Sequence, residues 1–495
     1  MLKRILSLLL VLALFAVPVA AEDGYVSFPE EEFFNDMGST ERYTEGLGIT
    51  AEQYEQLKET VYGATRSCAA NCSILSFGIP YNSTTMELLN YFIRKGDPET
   101  FHVNTIQSTG AYSGSTAVFS QLKFTYKYSK DEYDSMRADM IAVADEMLEG
   151  VEGNDALTDV QKALVLHDRL AVHCEYNVDG YYSGTQTDDD YTMYGAMVVK
   201  KCVCEGYTKA YSYLLDRVGI KNYYCESHTL GHIWNILEID GQRYHVDVTW
   251  DDPVYDITGF VMHDYFLCST EKILEHEHNA SDYDTTPVST LYDNAFWGGV
   301  KTSFILFGND LYYVERNTGN FNKWSGDAQT TLLTISEKWR SSSGGYYAAC
   351  FSCTARDDKY VYYSLPKSVV RYDPVRGTAS TLYEYAPTGD QRYFCIYGIK
   401  TEDMTLTLDV NGSPNFGETT KADYEFTVPY THPGKRGDAN GDNIINVQDL
   451  VVLKKYLASA DMSAVSFFWA NADVNGDGTV NVADIRAMKT MIAGG

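Results

Sequence analysis

Basic residues are scarce in this chain of 495 residues: 39 lysines and arginines stand against 68 aspartates and glutamates, for a formal net charge of −29. So acidic a composition argues against a nucleic-acid partner and against anionic membranes, and it favours solubility. Long apolar runs are also missing after residue 21. The sequence therefore predicts no membrane-spanning segment in the remainder of the chain.

Residues 1–21, MLKRILSLLLVLALFAVPVAA, have the pattern of a signal peptide. Lys3 and Arg4 precede a short apolar run, and small residues at its end form a cleavage site. We therefore expect an exported, extracellular protein. Removal of the two cations takes the formal charge from −29 to −31.

A thiol, an imidazole and a carboxylate occur in the order that a cysteine nucleophile needs. Cys204 opens a stretch with apolar residues at helical spacing as far as Val218, and Gly219 is a plausible stop. A thiol at a helix N-terminus feels the positive end of the helix dipole, and a neighbouring imidazolium lowers its pKa further. The pattern predicts a reactive thiolate at Cys204.

The imidazole and the carboxylate flank a turn signal, Asp240-Gly241. The segments GHIWNILEI and VDVTWDDP on either side read as strands, so the sequence predicts a hairpin with a two-residue loop. In that register Glu238 faces Arg243 and His232 faces Thr249. Asp247 is then the diagonal neighbour of His232, on the same face of the hairpin. The opposite face is apolar and suited to a core, with Ile233, Leu237, Ile239, Tyr244, Val246 and Val248.

Several alternatives compete with this assignment. Cys202 is a second thiol, without the Glu-Gly-Tyr context of Cys204. His228 or His245 could be the base if the register slipped by two residues. His276 and His278 in EHEH resemble a metal pair, but no thiolate or carboxylate cluster at ligand spacing completes a site, which favours ordinary surface or core histidines.

The same residues carry a family resemblance over roughly residues 155–282. The motifs KCVCEGYTKAYSYLLDRVGI, GHIWNI, YHVDVTWDDP and DYFLCSTEKILEH resemble the bacterial transglutaminase-like family of papain-like cysteine enzymes. This resemblance implies that Cys204 is the nucleophile, His232 the general base and Asp247 the orienting acid. It also implies a thioester formed from an amide and resolved by water in peptidases or by an amine in cross-linkers.

The C-terminus contains two oxygen-rich loops, GDANGDNIINVQD and ADVNGDGTVNVAD, that begin 35 residues apart. Asp, Asn and backbone carbonyl ligands at positions 1, 3, 5, 7, 9 and 12 suit calcium. Gly478 occupies the sharp-turn position 6 of the second loop, whereas the first has Asn443, so the first site is expected to be the weaker one. The predicted ligands are Asp438, Asn440, Asp442, Ile444, Asn446 and Asp449, then Asp473, Asn475, Asp477, Thr479, Asn481 and Asp484.

Each loop precedes an amphipathic helix, but the prolines and glycines of VPYTHPGKRG forbid a helix before the first loop. This loop-helix pair resembles a type I dockerin over residues 437–495. The resemblance implies two bound Ca²⁺ ions and docking to a cohesin domain of a scaffoldin in a cellulosome. The recognition positions that it implies differ between the copies at two of four places, which argues against symmetric dual docking: Val447, Gln448, Lys454 and Lys455, then Val482, Ala483, Lys489 and Thr490.

The length predicts several domains. We expect a multidomain α+β protein with a papain-like, transglutaminase-like catalytic core, a tyrosine-rich β module like blades of an incomplete propeller, and a small all-α dockerin. The expected divisions are a signal peptide (1–21), an α/β support domain (22–150), the catalytic domain (151–283), the β module (284–428), a linker (429–436) and the dockerin (437–495).

Ten cysteines in an exported chain permit disulfides, and Cys68 with Cys72, and Cys350 with Cys353, are close enough in sequence to be considered. If one cysteine is a nucleophile, nine remain, so at least one stays free or pairs with another chain.

Three functions are compatible with the sequence. The first is an amide hydrolase acting on protein, without a catalytic cofactor. The second is a protein-glutamine acyltransferase that uses the same three residues. The third is a non-catalytic adaptor held by a cohesin.

Overall fold

The computed structural model describes most of the chain after residue 39. The described residues are 40–113, 115–254, 258–337, 354–356, 360–385, 395–402, 405–411, 424–429, 436–440, 444–458, 460, 462, 467, 469–475 and 479–494. The predicted signal peptide, Cys350 and Cys353 lie outside these residues.

The first unit combines helices with a small antiparallel sheet. Helices Thr40–Leu47, Ala51–Arg66 and Ser83–Lys95 pack on strands β1 (Asn71–Ser73), β2 (Val103–Ser113) and β3 (Thr116–Tyr126), in the order β1-β3-β2. Reciprocal capping boxes begin the second and third helices, because the Thr50 and Asn82 side chains accept bonds from backbone N–H groups three residues on. These elements give the mixture of helix and strand that was expected in this part of the chain.

The central unit is built around three helices, Lys130–Leu148, Asp159–His173 and Cys204–Arg217. One apolar cluster joins all three, with Met140, Leu164 and Tyr211 fully buried. The helix Lys130–Leu148 thus packs with the central unit, although the expected domain division at residue 150 assigned it to the preceding one. The division itself stays a prediction.

A four-stranded antiparallel sheet lies against the Cys204 helix. Its strands are β6 (Lys221–Ser227), β7 (His232–Ile239), β8 (Gln242–Val246) and β9 (Phe266–Cys268), in sequential order. Two short parallel strands, β4 (Glu175–Tyr176) and β5 (Lys201–Cys202), pair just before the Cys204 helix. Further short helices are Val178–Ser183, Val248–Asp251 and Thr270–Glu275, with 3-10 turns at 75–77, 98–100, 188–191 and 296–299 and a π-helical turn at 195–199.

The hairpin register is as predicted: Ile239 pairs with Gln242 and Glu238 with Arg243. Asp240 and Gly241 have φ values of 52° and 71°, which is the backbone that a tight two-residue turn requires. The second strand is shorter than predicted, because β8 ends at Val246 and Asp247 caps the short helix Val248–Asp251. The expected pairing of His232 with Thr249 is therefore wrong.

The apolar face of the hairpin packs in the core, as expected, and the face that carries His232 is packed as well. The face of Trp234 and Ile236 is buried in a second apolar cluster with Cys225, Cys268 and Ile273. Helix Thr270–Glu275 supplies Ile273, so a later segment of the chain covers this face. Both faces of β7 are packed as a result.

The tyrosine-rich region forms two similar four-stranded meanders. The first contains β10 (Ile305–Phe307), β11 (Asp310–Val314), β12 (Asn320–Ser325) and β13 (Ala328–Thr334). The second contains β14 (Thr354–Arg356), β15 (Val361–Leu365), β16 (Ser368–Asp373) and β17 (Thr378–Glu384).

The two meanders share an irregularity: each has a register shift between its third and fourth strands, at Phe321/Asn322 and at Val369/Val370. A three-stranded sheet follows, formed by β18 (Cys395–Glu402), β19 (Thr405–Asn411) and β20 (Tyr424–Pro429). Blade-like repeats are expected to form a series of small meander sheets. A propeller architecture stays a prediction.

The C-terminal unit consists of helices Val447–Leu457, Trp469–Ala472 and Val482–Gly494 around a small apolar core that includes Leu453 and Met488. The chain thus has the predicted mixture of α and β structure, with several sheets and a helical C-terminal unit. Within the described residues, no helix combines the length and the apolar character needed to cross a bilayer.

Candidate active site

Cys204 is the first residue of its helix, as the sequence predicts. The preceding residue, Val203, has extended backbone and no side chain that caps the first turn. The N–H groups of that turn therefore receive no side-chain acceptor from the cap position, and they face the same end of the helix as the Cys204 thiol. Cys204 is partly exposed, which leaves its sulfur open to a reagent or substrate.

The Glu-Gly-Tyr context of Cys204 has a steric cause. A Cβ atom on Gly206 would lie 2.6 Å from Cys202 Cβ and 2.7 Å from Cys202 Sγ. A glycine at this position therefore lets the strand that carries Cys202 pass closely over the first turn of the helix.

Two hydrogen bonds tie the Cys204 helix to strand β7. Thr208 Oγ1 donates to the carbonyl oxygen of Ile233 over 3.0 Å, and Asn235 Nδ2 donates to the carbonyl oxygen of Thr208 over 3.2 Å. These bonds fix the start of β7, where His232 stands, against the first turns of the helix. The side chains of His232 and Cys204 interact with each other.

Asp247 completes the contact on the other side of the ring. Its Oδ2 lies 2.6 Å from His232 Nε2, and its Oδ1 accepts the Trp250 backbone N–H over 3.2 Å. With Nε2 engaged by Asp247, Nδ1 is the ring nitrogen that remains for the Cys204 thiol. The structure thus brings the three sequence-predicted residues together, although Asp247 is a helix cap and not part of a strand.

The electrostatics of this group favour an imidazolium. Burial alone lowers the pKa of His232, but the charge and hydrogen bond of Asp247 and the contact with Cys204 outweigh it and raise the pKa to about 10. For Asp247, burial raises the pKa, yet the charge and hydrogen bond of His232, together with His278, hold it below its usual range. A protonated His232 beside an ionised Asp247 is the resulting state.

His278 is a member of the site that the sequence reasoning missed. Its ring is fully buried and its Nε2 lies 2.9 Å from Asp247 Oδ2, the oxygen that also contacts His232. The expectation of an ordinary core or surface histidine gave no hint of this contact. No local signal could have found it, because 31 residues separate His278 from Asp247.

The competing residues have other environments. Burial, with the nearby Cys174 thiol, raises the pKa of Cys202 well above its usual value. His245 is fully buried and accepts a hydrogen bond from Trp234 Nε1 over 3.0 Å, and burial lowers its pKa to about 3. His228 is exposed on the turn before β7. None of these surroundings favours a nucleophile or a base.

A buried histidine-aspartate network lies behind the site. His167 Nδ1 and His263 Nε2 contact Asp168 Oδ1 over 2.9 and 3.0 Å, and His167 Nε2 contacts Asp251 Oδ2 over 3.2 Å. Asp251 belongs to the short helix that Asp247 caps, and it also accepts the Tyr265 N–H. The network therefore anchors the segment that carries Asp247.

The first unit of the chain reaches the neighbourhood of Cys204 through Lys95. Its Nζ lies 3.1 Å from Glu226 and 3.9 Å from Glu205, the residue after Cys204. Burial raises the pKa of Glu205, but Lys209 and Lys95 outweigh this effect and lower it to about 2. Tyr181, which is 44% exposed, also interacts electrostatically with Cys204.

The two C-terminal loops have matching local structures. Asp449 accepts the N–H groups of Asn440 and Asn446 over 3.1 and 2.8 Å, and Asp484 accepts those of Asn475 and Asn481 over 3.2 and 2.8 Å. Asp438 and Asp473, at position 1 of each loop, are also buried, whereas Asp442 and Asp477 lie outside the described residues.

The position-9 residues act as caps. Asn446 Oδ1 accepts the Gln448 N–H over 2.6 Å, and Asn481 Oδ1 accepts the Ala483 N–H over 2.7 Å. Ile444 and Thr479 offer backbone carbonyl oxygens at position 7, each of which accepts a bond from the asparagine of its own loop. Buried carboxylates with amide and carbonyl oxygens nearby fit a hard cation such as Ca²⁺.

The residues expected to meet a cohesin lie on the surface. Val447 and Val482, at matching positions, are each 60% exposed, and Gln448, Lys454, Lys455, Lys489 and Thr490 are also exposed. Ala483 is partly buried.

Comparisons with known proteins give one family match and a structural similarity. A solved structure titled "Crystal structure of a TGase" is similar at 15% identity over 35% of this chain, with a TM-score of 0.19, and this chain spans half of that structure's length. No curated protein matches the chain.

The family model "Dockerin type I domain" matches residues 436–493. Type I dockerin domains bind calcium and dock onto the cohesin of a scaffoldin, so the match associates the chain with a cellulosome outside the cell. The loop-helix pair at the C-terminus is therefore a type I dockerin domain, as its sequence predicts.

Proposed function

We propose that this chain is a cellulosome-associated cysteine enzyme that hydrolyses amide bonds of proteins through a thioester. The observation that carries the proposal is the chain of contacts from Asp247 Oδ2 through the His232 ring to the thiol of Cys204, at the start of a helix. A thiol, a base and an orienting carboxylate in this order are the requirements of nucleophilic catalysis by cysteine. The transglutaminase-like, papain-like fold and the two Ca²⁺ ions of the dockerin belong to the same proposal.

In the first half of the reaction, the Cys204 thiolate, which lies beside the protonated His232, attacks the carbonyl carbon of the amide. The carbonyl oxygen becomes an oxyanion, which backbone N–H groups of the first helical turn are placed to stabilise. The imidazolium then gives its proton to the leaving nitrogen as the carbon–nitrogen bond breaks. An amine leaves, and an acyl thioester remains on Cys204.

In the second half, water attacks the thioester while His232 accepts one of its protons. The carbon–sulfur bond breaks, which restores the Cys204 thiolate beside the protonated His232, and the carboxylic acid product leaves and gives its proton to solvent as it ionises. Asp247 keeps the His232 ring in one orientation and stabilises its positive charge in both halves. A primary amine in place of water would give an acyl transfer, which is the alternative function.

One experiment distinguishes hydrolysis from acyl transfer. The protein is incubated with a glutamine-containing protein mixture and a labelled primary amine, with Cys204→Ala as the control, and the products are analysed by mass spectrometry. We expect cleavage products or new carboxylates that depend on Cys204, with little label in polymer. Dominant incorporation of the label would establish the acyltransferase function. Identical products from the wild-type and Cys204→Ala proteins would support the non-catalytic adaptor instead.

Docking to a cohesin should use one preferred face of the dockerin, because the two copies differ at two of the four matching positions, Gln448 against Ala483 and Lys455 against Thr490. If the first copy makes the main contacts with the cohesin, we expect Lys454→Glu combined with Lys455→Glu to weaken cohesin binding much more than Lys489→Glu. Calorimetric titration of a cohesin measures the two affinities. Equal losses would indicate symmetric docking.

A further inference from the structure

The carboxylate of Asp247 serves two imidazoles. Its Oδ2 lies 2.6 Å from His232 Nε2 and 2.9 Å from His278 Nε2, and all three side chains are buried. Both nitrogens converge on one oxygen at hydrogen-bond distance. This is the geometry of two donors on one acceptor rather than of three ligands around a metal ion.

Several neighbours fix the position of His278. Its ring packs against the rings of Trp250 and Trp234, with centroids 4.2 and 5.0 Å away. Tyr283 Oη donates to the His278 carbonyl oxygen over 3.1 Å, and Tyr265 Oη donates to that of His276 over 2.9 Å. The imidazole therefore meets Asp247 with both its ring and its backbone held in place.

The hydrogen-bonding pattern identifies the ring nitrogen through which His278 donates to Asp247. An ionised Asp247 only accepts hydrogen bonds, so His278 must donate from Nε2. Its Nδ1 is buried and has no hydrogen-bond partner in the part of the chain that the structure describes.

We propose that His278 is a positioning residue of the site: its Nε2–H holds Asp247 so that Oδ2 faces His232. This inference rests on the proposed function. Together with the Trp250 N–H on Oδ1, it restrains both oxygens of the carboxylate. The orientation of the His232 ring, and with it the reactivity of Cys204, then depends on a residue 31 positions beyond Asp247.

The test compares His278→Leu with His278→Gln in the full chain. The amide N–H of glutamine can take the place of Nε2–H, whereas leucine fills the space without a donor. The second-order rate of Cys204 alkylation by iodoacetamide is measured by peptide mapping, and circular dichroism monitors folding. We expect the leucine variant to lose roughly tenfold in rate, as for one removed buried hydrogen bond, and the glutamine variant to retain most of it.

A folded leucine variant with the wild-type rate would overturn the role of His278, as would a glutamine variant as slow as the leucine one. If the leucine variant does not fold, His278→Asn replaces it, because the shorter amide cannot reach Asp247, and equal rates for the asparagine and glutamine variants would overturn the role. A wild-type chain whose Cys204 reacts no faster than its other thiols would instead refute the proposed function. The two failures are therefore distinguishable.

A second inference rests on a different observation, the contact of two buried thiols next to the site. Cys174 Sγ and Cys202 Sγ lie 3.4 Å apart, and both residues are buried. They are brought together where β4 and β5 run parallel, with Tyr176 in register with Cys202. Neither side chain contributes to the chemistry assigned to Cys204.

We infer that Cys174 and Cys202 are a disulfide site. An external disulfide, such as oxidised glutathione, would accept two electrons and become two thiols, while the cysteines lose two protons and form one sulfur–sulfur bond. The bond would close the segment 175–201, which runs up to the residues before Cys204. It would also engage Cys202, the thiol nearest in sequence to the nucleophile, and leave Cys204 free.

The full chain is equilibrated with oxidised glutathione, unfolded without reductant, alkylated and digested. Fragmentation spectra locate the cross-link, since Cys202 and Cys204 share a peptide. We expect Cys174 linked to Cys202, loss of the link on reduction, and a lower melting temperature for the reduced protein. Alkylation of both thiols without reductant, or a link from Cys174 to Cys204, would overturn the inference. In Cys174→Ala, Cys202 should become available to the alkylating agent.

Discussion

His232→Ala should abolish nearly all activity, with a loss of roughly 10⁴-fold or more, because base and nucleophile act as a unit. Asp247→Asn should retain roughly a hundred times more activity than His232→Ala, since the amide still occupies the position of the carboxylate. The asparagine side chain can also still cap the helix at Val248–Asp251, which limits the loss of stability. Peptide release from a general protein substrate such as casein measures both variants.

The matched control is His228→Ala, which removes an exposed imidazole four residues before His232. We expect this variant to keep full activity. An active His232→Ala protein, or an inactive His228→Ala protein, would show that the base has been assigned to the wrong residue.

Removal of calcium should unfold the dockerin while the central unit stays intact. The buried carboxylates of Asp438, Asp449, Asp473 and Asp484 repel one another without a cation, so metal binding and folding are coupled. With a chelator present, limited proteolysis of the full chain should cleave within residues 437–495, and cohesin binding should be lost. Both effects should reverse when calcium is restored.

The alkylation rate of Cys204, measured in the same samples, reports on the central unit separately from the dockerin. We expect chelator to leave it unchanged, because no calcium ligand is proposed near His232 or Cys204. Protease resistance that persists in chelator would contradict the coupling of calcium to folding, and a loss of Cys204 reactivity would contradict the division of labour. Asp449→Ala should reproduce the effect of chelator on the first loop.

The hairpin around His232 was predictable because short-range chemistry determines it. Asp240 and Gly241 adopt the positive φ values that their residue types permit, and this turn sets the register of Glu238 with Arg243. The helix that begins at Cys204 was equally predictable from its apolar spacing. Each of these features depends on residues that are close together in the sequence.

The local prediction failed where two signals compete. The β-branched residues after Tyr244 favour a strand, but Asp247 is also a good helix cap, and its carboxylate accepts the Trp250 N–H. The cap determines the structure there, so the strand ends at Val246. The sequence correctly predicted that Asp247 lies near His232, but it did so from a strand pairing that ends at Val246.

The remaining features depend on contacts between distant residues. His278 reaches Asp247 from beyond the helix Thr270–Glu275, and Lys95 reaches Glu205 from the first unit. The contact of Cys174 with Cys202 requires β4 and β5 to pair in parallel. Hydrophobic periodicity and turn residues carry no information about such long-range contacts. The packing of whole helices and strands determines them.

Selective alkylation of Cys204 tests the central claim most directly. The pKa of Asp247 lies below its usual range and that of His232 is raised to about 10, so the charged pair persists at mildly acidic pH, where ordinary thiols are protonated. At about pH 5.5, iodoacetamide should modify Cys204 ahead of every other cysteine and abolish activity. Peptide mapping that finds Cys202 labelled first, or a Cys204→Ala protein with full activity, would contradict the account.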